Sequence, residues 1–286
     1  MRHLTKPEDE NGQPLAAGEV FETCVSTVQN PALRARLKSI RSEVENASAD
    51  YDDKAAGRQL YRKQPHNQVG SISGDEIVKV YTLRMVPRTS TGRRTYDRIM
   101  SAPVHRRCPL CGIGTVSTLD HYLPKTHFPV FSVTPNNLVP ACEWCQRNKS
   151  EYFSATKGGQ LLHPYFDNVE NEVWLKAEVV FGAPAGFRYF ASPPDQWTPS
   201  AKARVAAHLQ KLKLPMLFSS NAGSRLSEIR ARLAGLHHSG GVGAVRAHLQ
   251  EELASIEADY INSWTAAMYR AAIANDWFCN GGFLGT

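Results

Sequence analysis

Two Cys-x-x-Cys pairs, Cys108/Cys111 and Cys142/Cys145, bracket the step Leu119-Asp120-His121 and the step Asn137-Leu138. Four thiolates at this spacing can surround one Zn²⁺ tetrahedrally, each sulfur near 2.3 Å from the ion. Such a site has no open coordination position, so the zinc would be structural. The carboxylate and imidazole between the pairs are a different kit. An imidazole with a pKa near neutrality can take a proton from water, and a neighbouring carboxylate can hold a divalent ion against a phosphate. Asp120 and His121 would be adjacent on a strand and point to opposite faces. They meet at one phosphate only if the backbone bends, which Pro124 allows.

The elements around this stretch read as mainly helical. Asn30-Pro31 caps a helix whose apolar stripe is Leu33, Leu37, Ile40 and Val44. Ser73-Gly74-Asp75-Glu76 opens another, and a short third spans 94–100. Residues 117–120 and 137–140 read as short strands, and 142–149 begins a helix. From 108 to 148 the spacing looks too tight for a hydrophobic core, so metal would fold this part. Residues 173–181 and 187–191 read as a hairpin. Helices follow over 200–214, 222–236 and, as one long element, 242 to about 275. The expected organisation is a helical N-terminal region with a basic stretch (1–100), a finger (101–167) and a hairpin-plus-helix region (168–286).

Composition narrows the class. The chain has 286 residues, 42% hydrophobic and 21% charged, with a net charge of +6, which suits a folded protein with a polyanionic partner. Seven arginines (84, 88, 93, 94, 98, 106 and 107) stand against one acid, Asp97, just before the first cysteine pair. No apolar run suits a membrane span or a signal peptide, so a cytoplasmic location without membrane insertion is expected. Cys24 and Cys279 read as buried small hydrophobes.

Cys108-x-x-Cys111, the run 119–125, Asn137-Leu138-Val139-Pro140 and Cys142-x-x-Cys145-x-x-x-Lys149 resemble the zinc-containing HNH endonucleases. The resemblance covers 108–150 and implies a central zinc-stapled ββα-metal finger within a mainly α (α+β) fold. It further implies a one-metal DNA endonuclease that nicks one strand. His121 would be the general base, Asp120 a ligand of catalytic Mg²⁺ or Mn²⁺, and Asn137 the brace that orients His121. Gln146 stands where the family has Asn or His as second ligand of the catalytic metal, with one extra methylene. Arg106, Arg107, Lys125, Arg147 and Lys149 would contact DNA phosphates. Proteins of this type also imply anti-phage defence, with an ATPase or another defence subunit as partner. The alternatives are a non-catalytic zinc-finger protein that binds nucleic acid or acts as a scaffold, and a nuclease directed at RNA.

Overall fold

The computed structural model describes residues 1–285 as two compact units, 1–168 and 169 onward. The first unit begins with helices α1 (Ala17–Val25), α2 (Pro31–Ser39) and α3 (Arg41–Ala56). The stripe 33/37/40/44 is therefore split. Asn30 caps α2 through Leu33 N–H, and the chain turns at Ile40, so two helices share the apolar positions. A minimal hairpin, β1 (Gln68–Val69) with β2 (Ile72–Ser73), leads into α4 (Gly74–Arg84). Ser73 and Glu76 form a reciprocal capping box there, each side chain satisfying the other's end of the first turn. Helix α5 (Arg93–Ser101) follows.

Strand β3 (Thr118–His121) pairs antiparallel with β4 (Leu138–Ala141), setting Asp120 opposite Val139 and His121 opposite Leu138. Helix α6 (Glu143–Lys149) starts directly after β4. The segment between the strands is core. Phe128 and Phe131 are fully buried, and the Phe131 ring lies 5.1 Å from Tyr51 of α3.

That packing corrects the expected fold class. The protein is mainly α-helical, and strands occur among the described residues only as isolated short two-stranded antiparallel hairpins. No single ββα-metal HNH finger is evident near the cysteines. The four-residue strands belong to the 168-residue unit, and aromatic burial supports them where metal alone was expected to.

The second unit carries the hairpin β5 (Leu175–Val180) and β6 (Gly186–Ala191), then α7 (Pro199–Lys211), α8 (Leu214–Asp259) and α9 (Trp264–Ile273). Gly241, at φ 61° and ψ −156°, breaks α8 into two arms. The long helix expected over 242–275 is interrupted at 260–263. The buried Asn262 carboxamide oxygen accepts the Trp174 and Leu175 N–H groups, and Ser263 caps α9. No helix among the described residues is long and apolar enough to cross a membrane.

Candidate metal centre and the adjoining cleft

The four cysteines converge. Cys108 and Cys111 flank a tight turn, in which Gly112 N–H donates to Cys108 O at 2.8 Å and Gly112 adopts φ 73°. Cys142 is the N-cap of α6 and Cys145 lies in its first turn. All four sulfurs are buried, none is in a disulfide, and they lie within 4.8 Å of one another. Cys111 Sγ and Cys142 Sγ are 3.7 Å apart. A tetrahedron with bonds of about 2.3 Å has an edge of about 3.8 Å, so the donor set fits a metal ion in size as well as in chemistry. Ile113 and Gly114 N–H groups face Cys111 Sγ at 3.5 and 3.4 Å, as expected around a thiolate. Crowding splits the four acidities. The Cys108 contact holds the Cys111 and Cys142 thiols low, whereas burial pushes Cys108 up and contacts with Cys108 push Cys145 up. This is the group of side chains among the described residues that could hold a metal.

Beside it lies a cleft of about 270 Å³ lined by Tyr81, Tyr96, Asp120, His121, Lys125 and Gln146 among others. His121 is buried. Its Nε2 lies 2.9 Å from Ser132 O, so Nε2 carries the proton and donates. The Tyr81 ring meets the imidazole edge-on at 4.5 Å, and Tyr81 Oη donates to Leu119 O at 3.1 Å. Burial, aided by the Lys125 charge, lowers the His121 pKa from 6.5 to about 3. Asp120 is also buried, and its Oδ2 lies 3.3 Å from Lys149 Nζ. Desolvation raises its carboxyl above the ordinary value even though Lys149 opposes the shift.

The remaining expected site residues divide sharply. Asn137 is buried and tied on three sides. Its Oδ1 accepts Leu123 N–H at 2.8 Å, while Nδ2 donates to Leu123 O and Phe131 O at 3.1 and 3.2 Å. Gln146 is exposed on α6 at the cleft, and Lys125 lies 5.8 Å from the Tyr81 ring. Lys149 points inward, donating to His121 O at 2.6 Å, so it is a buried strut with no surface for a phosphate. Arg147 is ion-paired to Glu143 within α6. Arg107 donates to Ile113 O at 2.5 Å, and Arg106 is exposed. Sequence reasoning missed the Tyr81 clamp and the Lys149 strut. The second had a signal, because Lys149 is four residues from Cys145 and shares its inward helix face.

No family model and no solved structure matches the chain. It is 30% identical over 229 residues, 74% of its own length and 76% of the relative's, to "Protein ea31" of Escherichia phage lambda. The chain belongs to the ea31 family. The nuclease reading is accordingly corrected. In this ea31-family chain the group that could hold a metal is all cysteine, the form of a closed structural module, and among the described residues Asp120 and His121 belong to no such group. An imidazole held neutral down to about pH 3 is a poor match for a general base at neutral pH. The HNH resemblance, the phosphodiesterase activity, the Mg²⁺ or Mn²⁺ site and the anti-phage role thus find no support from the site or from the relative.

Proposed function

We propose that the protein is a non-catalytic nucleic-acid-binding module in which a structural Zn²⁺ on Cys108, Cys111, Cys142 and Cys145 holds a basic surface in shape. The four-thiolate cluster carries this reading, because it is a closed site whose work is to fix the chain around it. Zinc suits four thiolates in a tetrahedron, and a reducing compartment such as the cytoplasm keeps them available. The chain running into it is cationic. Arg106 is exposed two residues before Cys108, Arg88 is exposed elsewhere in the same unit, and Lys125 is half-buried at the rim of the cleft. Exposed arginines with no acid opposite them attract phosphates and release counterions when they bind.

The test uses the full chain, loaded with zinc, against fluorescent DNA duplex. One zinc per chain is expected, lost on substitution of Cys145. Binding should fall steeply between about 50 and about 200 mM salt, and Arg88→Ala with Arg106→Ala should reduce the slope by about two. Salt-independent or undetectable binding would overturn the proposal. So would nicking of supercoiled plasmid by the wild type but not by His121→Ala, which would restore catalysis.

A further inference from the structure

We infer that residues 103–107 form a rigid tip that enters the minor groove of duplex DNA, with Val104 as an apolar wedge followed by the exposed cation Arg106. The inference rests on the nucleic-acid-binding reading and adds the groove and the residues to it. The sequence Pro103-Val104-His105-Arg106-Arg107 joins α5 to the first cysteine pair. Val104 is 76% exposed, the most exposed large hydrophobic side chain among the described residues. Its neighbours His105 and Arg106 are exposed as well, and their side chains have no partner among the described residues. That distinguishes them from Arg93 and Arg94, which are paired to Asp97 and Glu10.

The backbone is held in a costly shape. His105 and Arg106 adopt φ 51° and 54° in succession, a conformation that favours glycine, yet neither is glycine. The surrounding bonds enforce it. Arg106 N–H donates to Pro103 O at 2.9 Å, Arg107 N–H to Val104 O at 3.1 Å and Val116 N–H to Arg106 O at 2.8 Å. Cys108 N–H donates to Gly114 O at 2.8 Å and Arg107 pairs with Thr115, so the tip is fastened to the metal knuckle. A solvated linker needs none of this. A pre-shaped apolar point beside a cation does.

Chemistry selects the partner. Between Asp97 and Asp120 there is no acid, so nothing on this segment repels phosphate. The same stretch contains no Phe, Tyr or Trp, so it lacks the stacking platforms that single strands require. A minor groove about 6 Å wide admits a loop tip and one branched side chain, with the Arg106 guanidinium reaching the phosphates at its rim. Apolar side chains of this kind wedge against base steps in minor-groove proteins. An RNA duplex offers a wide, shallow minor groove that a single side chain cannot grip.

The experiment compares zinc-loaded wild type, Val104→Ala and Arg106→Ala on a DNA duplex by fluorescence anisotropy. Zinc content and thermal midpoint are checked first, since both side chains are exposed and both variants should fold. Val104→Ala should bind about tenfold more weakly with an unchanged salt slope, two methyl groups having left an apolar contact. Arg106→Ala should lower the slope by about one. Netropsin, a minor-groove ligand, should displace the protein, and methyl green in the major groove should not. If wild type binds and both variants match it, or methyl green is the effective competitor, the tip is refuted while nucleic-acid binding stands. Preference for single strands or RNA duplex also refutes it. No binding by wild type defeats both readings.

Discussion

Replacing Lys149 with methionine tests whether the ammonium beneath the cleft acts as a buried strut. Met keeps the length of the stem and removes only the charge. Lys149 Nζ donates to His121 O at 2.6 Å and sits 3.3 Å from Asp120 Oδ2, with the two side chains 4% and 12% exposed. Breaking such a pair from one side costs about 3–5 kcal/mol, mostly through the charge left behind. Asp120 can escape that cost by taking a proton. From the ordinary value of 3.8, protonation at pH 7 costs about 4 kcal/mol, and at pH 5 only about 1.6 kcal/mol. Burial already raises this carboxyl, and the variant raises it further. A raised acid costs nothing below its unfolded value, costs progressively more as pH climbs from there toward its folded value, and costs a constant amount above that, so the deficit must shrink on acidification. Lys149→Met should therefore lose about 3–5 kcal/mol at pH 7, and about 2–3 kcal/mol less at pH 5. Urea unfolding of zinc-saturated protein at both pH values measures this. Lys149→Met with Asp120→Asn should recover most of the loss, since no unpaired charge remains. A deficit equal at the two pH values, or below about 1 kcal/mol at pH 7, would show that solvent screens the pair and would refute the argument.

Two further outcomes follow from the same region. His121 takes its proton near pH 3 in the fold and near 6.5 when unfolded, so the unfolded chain binds more protons between those values and stability falls as pH drops through that window. The loss at pH 5 relative to pH 7.5 should be roughly 2 kcal/mol, and His121→Asn should lack that part of the slope in matched urea titrations with zinc in excess; identical slopes would contradict the burial argument. At Gly114 an added Cβ would stand 2.6 Å from Cys142 Cβ and Sγ. Gly114→Ala should consequently displace one metal ligand and weaken zinc binding by about tenfold or more, read by competition with a chromophoric chelator, an overpacking penalty of about 1–3 kcal/mol.

What was legible in the sequence is what depends on short spacing. Within each cysteine pair a two-residue gap fixes the separation wherever the pair is placed. The capping box at Ser73 and Glu76 and the cap at Asn30 are equally local, and both are present. The helix ends at Ile40 and at 260–263 were not legible. Apolar periodicity runs straight through Ile40, and the break at Asn262 is fixed by a carboxamide that holds backbone about 90 residues away in sequence, at Trp174 and Leu175. The chemistry of His121 failed for a related reason. Spacing placed an imidazole beside a carboxylate, but its acidity is set by burial, by Lys125 and by the carbonyl of Ser132. The pairing of residue types is visible in sequence. Their protonation is a property of the packed unit.

The arginine run shows how the same distinction bears on binding. Seven arginines before the first cysteine pair suggest a uniform phosphate surface. In the fold, Arg93 donates to Val86 O and pairs with Asp97, Arg94 pairs with Glu10, and Arg107 holds Ile113 O. Those cations already serve internal contacts, and a phosphate would have to compete for them. Arg88 and Arg106 are exposed without such contacts, and of these Arg106 stands in a fixed left-handed turn fastened to the metal knuckle. Charge count therefore overstates the surface available to a polyanion, while backbone strain and exposure pick out where it is concentrated. Removing the metal should then weaken binding with every basic residue still in place, because what the metal supplies is the position of those few cations.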